Sequence, residues 1–352
     1  MARAYDYALV EAIRDKAYEL ELDGIVAEVR PVPDDDRPHV LDPRFLDVIQ
    51  RKLRGEIPSS ARDGLMFQRH YDKGVRPFVE GACEKRDLVA DLGDRGIPVS
   101  VLIPENAQAD APLVVFLHGG CFTFGWFGAY RPLLEALALL SGAVVAFPEY
   151  RLAPEFPFPA AVDDSEAVVA WLLEHATELG ASADKLVLAG DSAGGSLVNA
   201  TILRRHGQGV RLAVLCYPVV DLEIAPAYWS WDAYPWDPSE EVECRSRVEG
   251  ILSWIPDESY LRGRAELRRE PEVSALHAED VSFWPRTFVM CSEFDYLRVQ
   301  DERFAARLAQ AGVSVRLVRY AGCDHGFVET MAGKVPQVED LCELVAAELR
   351  AL

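Results

Sequence analysis

From residue 86 onward, short apolar runs alternate with longer amphipathic stretches. Runs at 97–103, 113–117, 143–147, 185–189, 211–217, 287–291 and 313–319 read as strands, and 163–179, 193–206, 300–311 and 335–349 read as helices. Strands and helices in alternation predict an α/β fold with a mostly parallel sheet and helices on both faces. Two stretches break the rhythm. Residues 1–85 are polar, with Leu9, Ile13, Ala17 and Leu20 at helical spacing, and a Pro- and Asp-rich interruption at 31–38. Residues 221–285, rich in Trp, Pro and charge, separate two core strands, and a loop of that length holds structure of its own or serves function. The expected organisation is an accessory N-terminal segment (1–85), a core built from 86–220 and 286–352, and an insertion at 221–285. No internal repeat or low-complexity tract is visible.

Composition narrows the reading. With 352 residues, half of them hydrophobic and 26% charged, the chain is long enough for one large α/β domain plus added elements, and it carries no sign of extended disorder. A net charge of -21 argues against nucleic acid or an anionic membrane as partner, since both are bound through clustered Lys and Arg. The 7 cysteines, an odd number without a C-x-x-C pair, suit neither a disulfide framework nor a zinc site and read as reduced thiols. The first residues mix acids and bases where a signal peptide needs an uncharged apolar run, and no apolar stretch approaches a membrane span of ~18 residues. A cytoplasmic location is expected.

Chemistry gathers at the carboxyl ends of predicted strands. Gly190-Asp191-Ser192-Ala193-Gly194 lies between the strand ending at 189 and the helix beginning at 193. A serine on such a turn is held with its hydroxyl exposed, flanking glycines avoid clashes as the helix folds back, and the helix N-terminus favours negative charge nearby. His118-Gly119-Gly120-Cys121 follows another strand at the same sheet edge. The backbone N–H groups of Gly119, Gly120 and Cys121, together with that of Ala193, are candidate donors to a developing oxyanion, each worth about 2.7 to 4 kcal/mol. His118 itself reads as structural.

A serine on this kind of elbow takes an acid and then a base from later in the chain. Ser292-Glu293-Phe294-Asp295 and Cys323-Asp324-His325-Gly326 each leave a strand end. His325 would accept the Ser192 proton, and Asp295 would orient it. Glu293, Asp301 and Asp324 compete with Asp295, and spacing does not exclude them. His39, His70, His175, His206 and His277 lack strand-end context and read as surface or structural residues.

These motifs resemble the hormone-sensitive-lipase-like group of esterases and lipases, within the α/β-hydrolases. The resemblance rests on His118-Gly119-Gly120, on Tyr150-Arg151-Leu152-Ala153-Pro154-Glu155, on Gly190 to Gly195, on Asp295-Tyr296-Leu297-Arg298 and on Asp324-His325-Gly326-Phe327. It implies an eight-stranded, mostly parallel sheet under a helical cap made from the N-terminal segment and the insertion. It also implies a serine hydrolase that cleaves carboxylic esters without a metal or organic cofactor, and esters of short to medium acyl chains are the expected substrates. The expected partner is a small-molecule ester, with no role for nucleic acid or membrane, and a homodimer is left open. An amidase, deformylase or lactonase would use the same triad, and a ligand-binding receptor on this fold would have lost one of Ser192, Asp295 and His325.

Three positions depart from the family pattern. Cys121 replaces a third glycine, Tyr296 replaces a proline after the acid, and the acidic pair Asp301-Glu302 is offset by two residues. Candidate substrate contacts are Phe122 and Trp126, beside the oxyanion loop with Phe124 and Phe127, and Tyr228 and Trp229, within the aromatic run that continues through Trp231, Tyr234 and Trp236. The alternative for the run is packing of cap on core. Cys121 and Cys323 read as small buried fillers rather than a thiol pair.

Overall fold

In the computed structural model, which describes residues 3–56, 65, 69, 74–223, 226–250 and 258–352, ten strands form one sheet. They are β1 (Tyr18–Leu22), β2 (Ile25–Arg30), β3 (Cys83–Asp91), β4 (Gly96–Pro104), β5 (Ala111–Leu117), β6 (Val144–Pro148), β7 (Ala181–Asp191), β8 (Val210–Cys216), β9 (Arg286–Phe294) and β10 (Val315–Asp324), in the order β1-β2-β10-β9-β8-β7-β5-β6-β4-β3. Pairing is parallel from β6 through β5, β7, β8 and β9 to β10, and antiparallel where β3 meets β4 and β4 meets β6. The central strands are apolar along nearly their whole length because helices cover both faces.

Strands β3 to β10 account for the expected eight, and the hairpin β1–β2 adds two that the sequence reading took for helix. Helix α1 (Ala8–Asp15) carries Leu9 and Ile13 but stops there, and Leu20 lies on β1. The period-two pattern of Tyr18–Leu22 and Ile25–Arg30 closes over Asp23-Gly24, with Leu22 opposite Ile25 and Gly24 at φ 89°. An Asp-Gly pair between alternating runs is a strong hairpin signal, and it outweighs the helical spacing. β2 then pairs parallel to β10. The N-terminal segment therefore belongs partly to the sheet, not wholly to a cap.

The remaining helices are α2 (Pro43–Leu53), α3 (Phe127–Ser141), α4 (Ala160–His175), α5 (Ala193–Arg205), α6 (Glu241–Gly250), α7 (Arg298–Gln310), α8 (Phe327–Thr330) and α9 (Pro336–Arg350). The periodicity located α4, α5, α7 and α9 to within a few residues. It missed α3, whose nine buried residues leave little polar face to set a 3.6-residue pattern. α9 packs on α3 and α1, α5 on α4 and β7, and α7 on β9 and β10. Within the insertion, α6 packs against α2 and β9, so the two extra segments meet beside the strand ends. No helix among the described residues is long and apolar enough to cross a membrane. His70 lies outside the described residues.

Candidate active site

Ser192 joins β7 to α5 at φ 51° and ψ -120°, a backbone conformation that L-residues rarely adopt. Two close approaches enforce it. A β-carbon on Gly194 would lie 1.9 Å from the Leu117 carbonyl oxygen, and one on Gly190 would lie 2.7 Å from Gly194 backbone, so the elbow packs on β5 only with glycine on both sides. The Ser192 amide donates to Cys216 O at 2.9 Å, its carbonyl accepts from Val219 N at 3.0 Å, and the residue is 5% exposed.

The structure brings the three predicted chemical side chains together. Ser192 Oγ lies 2.9 Å from His325 Nε2, and His325 Nδ1 lies 2.6 Å from Asp295 Oδ2. Asp295 is fully buried where the chain leaves β9, and its other oxygen accepts from Leu297 N at 2.9 Å. An ionised carboxylate only accepts, so the proton sits on Nδ1 and the Nε2 lone pair faces the serine hydroxyl. Burial alone would lower the His325 pKa. The Asp295 carboxylate, with Asp191 and Glu329 adding negative charge, outweighs burial and raises it above its ordinary 6.5.

Two of the three competing acids have other partners. Glu293 reaches His39 Nδ1 at 2.7 Å and accepts from Gly322 N at 2.8 Å, and Asp324 pairs with Arg247 at 2.7 Å. Asp301 is fully buried with neither carboxylate oxygen bonded among the described residues, and burial, then the nearby Asp295 charge, push its pKa far up. None of these three carboxylates is hydrogen-bonded to His325. Asp295 is.

His118 is structural, as expected: it is buried, its ring stacks on Tyr150 at 4.2 Å, and Tyr150 OH donates to its carbonyl at 2.6 Å. One of the four expected oxyanion donors is corrected. The Gly119 amide donates to Asp191 Oδ1 at 2.7 Å and lies 3.0 Å from Tyr130 OH, so its N–H is already engaged inside the protein. Gly120 (φ 108°), Cys121 (φ 51°) and Phe122 (φ 59°) continue the loop through positive φ, and the Gly120 amide has no partner among the described residues. Cys121 thus holds a positive φ, uncommon for a residue with a β-carbon, where the family pattern has a glycine. Ala193, first in α5, has no intrahelical acceptor for its N–H.

The candidate substrate contacts behave differently from one another. Phe122 is buried and stacked on Tyr260, with ring centroids 3.7 Å apart. Trp126 is 42% exposed at the start of α3. Tyr228 OH donates to Asp221 at 2.6 Å, and the Trp229 ring packs against Tyr296 at 5.0 Å and Trp231 at 5.1 Å. Tyr234 OH donates to the Tyr296 carbonyl at 2.9 Å. The aromatic run thus packs the insertion on the loop that carries Asp295, the alternative the sequence left open. Tyr260 escaped notice because no motif surrounds it; only the contact with Phe122 singles it out. None of the seven cysteines is in a disulfide; Cys323 is fully buried and Cys121 partly so. No group of three or more His, Cys, Asp or Glu side chains suited to a metal occurs among the described residues.

A serine elbow between a parallel strand and a helix, met by a carboxylate and a histidine from the ends of the last two strands, defines an α/β-hydrolase. Residues 114–329 match the family described as alpha/beta hydrolase fold, and the chain belongs to it, in the hormone-sensitive-lipase-like group. It is similar to a carboxylesterase of Mycobacterium tuberculosis, 32% identical over 80% of this chain and 89% of the relative. It also resembles an arylesterase of Saccharolobus solfataricus, 32% identical over 70% of this chain and 77% of the relative. Among solved structures, a hyperthermophilic esterase from the archaeon Pyrobaculum calidifontis superposes with a TM-score of 0.73 at 26% identity, covering 89% of this chain and 98% of that one.

Proposed function

We propose that the chain is a carboxylesterase acting on short to medium acyl esters, with Ser192 as nucleophile, His325 as base and then acid, and Asp295 as the group that orients His325. The observation that carries this reading is the unbroken contact from Ser192 Oγ to His325 Nε2 and from His325 Nδ1 to Asp295, at 2.9 and 2.6 Å. Similarity to enzymes named for ester hydrolysis supports the ester as the bond cleaved.

Ser192 Oγ adds to the ester carbonyl as its proton passes to His325 Nε2. The carbonyl oxygen becomes an oxyanion, received by the amides of Gly120, Cys121 and Ala193. Collapse expels the alcohol, which takes the proton from His325, and leaves Ser192 acylated. Water then attacks the acyl group, giving its proton to His325, and the second tetrahedral intermediate releases the acid and restores the serine. The insertion and α2 serve as the cap, and seven cysteines without a disulfide support a reducing, cytoplasmic setting.

The test is kcat/KM across p-nitrophenyl esters from acetate to palmitate, run beside an anilide. Phe122 follows the oxyanion loop directly and is stacked on Tyr260, and bulk at this point of the loop supports a short acyl pocket. Each methylene that fits adds ~0.8 kcal/mol, while one that does not costs ~1 to 3 kcal/mol of strain. Activity is expected to peak at about two to six carbons and to fall at least tenfold by about twelve, a factor that takes only ~1.4 kcal/mol. A maximum at decanoate or longer, or a jump in rate on emulsion, refutes the short pocket, and faster cleavage of the anilide makes the enzyme an amidase.

The pH dependence is fixed in sign by His325. Only the neutral ring accepts the serine proton, so kcat/KM is lost on acidification, and a pKa raised by Asp295 moves that loss to higher pH. The acidic limb of a profile from pH 5 to 9 is expected to have its midpoint above 6.5. A midpoint below that value contradicts an ionised Asp295 beside the ring.

A further inference from the structure

We propose that Arg247, on helix α6 of the insertion, is a positioning residue for the catalytic base, which makes the cap a working part of catalysis rather than only a roof over the substrate. The inference rests on the triad reading above.

Arg247 Nε lies 2.7 Å from Asp324 Oδ2, with the two side chains only 18% and 11% exposed. Asp324 is the last residue of β10 and the immediate neighbour of His325. The backbone on either side of His325 departs from regular strand geometry. The β10–β9 ladder loses its register between Tyr320 and Asp324, and Gly326 follows at φ 78°. Asp324 resumes the pairing, opposite Phe294, one residue before the imidazole, so a side-chain anchor at Asp324 bears directly on where that ring sits.

A second strut reaches the start of the same irregular stretch. His39 of the N-terminal segment holds Glu293 at 2.7 Å, and the other Glu293 oxygen accepts from Gly322 N at 2.8 Å. Gly322 has no room for a side chain, because a β-carbon there would lie 2.8 Å from Asp42 N. Both extra segments therefore brace the loop carrying the base, and Arg247 is the brace nearest to it. The Nε–H of Arg247 is not aligned for a directed hydrogen bond, so the contact is an ion pair held by charge. Lysine can keep such a contact. Methionine fills much of the same space but strands a largely buried carboxylate beside His325.

Loosening the loop displaces Nε2 from Ser192 without touching the substrate, so the loss falls on kcat. A misplacement of about 1 Å costs on the order of 100-fold. Arg247→Met is expected to lower kcat for p-nitrophenyl butyrate by about 10- to 100-fold with KM within about twofold of wild type. Arg247→Lys is expected to recover most of the loss. Asp324→Asn removes the other partner and tests the pair should Arg247→Met fail to fold; its kcat is expected to fall as well, and Arg247→Met added to it to cost little more. Wild-type kcat in both single variants, a change confined to KM, or a lysine variant no better than methionine overturns the proposal. Ser192→Ala run alongside separates the two readings: if it keeps activity, the triad reading fails, whereas an inactive Ser192→Ala beside an unaffected Arg247→Met sinks the positioning role alone.

Discussion

Ser192→Ala is expected to reduce kcat/KM for p-nitrophenyl butyrate by about 10⁴-fold or more while leaving the fold in place. The hydroxyl makes one side-chain contact, to His325, and its removal costs stability of only about 1 kcal/mol. The elbow conformation is set by Gly190, Gly194 and the backbone hydrogen bonds of Ser192, none of which the substitution touches. Circular dichroism and the thermal midpoint should match wild type, and a phosphonate inhibitor should label Ser192 in the wild type and nothing in the variant. Labelling at another serine would sink the assignment.

Asp295→Asn is expected to cost about 10⁴-fold in kcat. Both oxygens of Asp295 act as acceptors, one from Leu297 N and one from His325 Nδ1. Asparagine has one carbonyl oxygen. If that oxygen stays on Leu297 N, the amide NH₂ faces Nδ1 and drives the ring proton to Nε2, where it blocks acceptance from Ser192. Loss of the carboxylate also removes the main influence raising the His325 pKa, so the residual activity should show an acidic limb shifted to lower pH. Glu293→Gln keeps the size of its side chain and is not in contact with His325, so a loss of about tenfold at most is expected from it. A crippled Glu293→Gln beside a near-normal Asp295→Asn would reassign the acid.

The site was legible where local sequence determines local geometry. Gly190-Asp191-Ser192-Ala193-Gly194 specifies a tight strand-to-helix turn whatever surrounds it, and the strand ends before Asp295 and His325 place both on one sheet edge. Choosing among Glu293, Asp295, Asp301 and Asp324 was not settled by spacing, because burial and partners decide it. His39, Gly322 and Arg247 engage two of the rivals from distant segments, and burial disarms the third. The Gly119 amide illustrates the same gap. Nothing in the motif says that the Asp191 side chain turns back to take it. The β1–β2 hairpin was missed for a different reason, since Leu9, Ile13, Ala17 and Leu20 satisfy a helical period that the Asp23-Gly24 turn contradicts.

That hairpin has a bearing on how the chain is made. β2 finds its partner in β10, where Arg316 reaches Glu28 across 288 positions, and the segment before it is tied to α9 by Arg3 and Glu339, 336 positions apart. At about 5 to 20 residues per second, roughly 15 to 60 s of synthesis separate the hairpin from the strand it must join. Through that interval β2 presents an unpaired edge and Val29 an uncovered apolar side chain to whatever the nascent chain meets. The outer margin of the sheet is completed only when β10 has left the ribosome, so the early residues of this polypeptide wait on some of its latest.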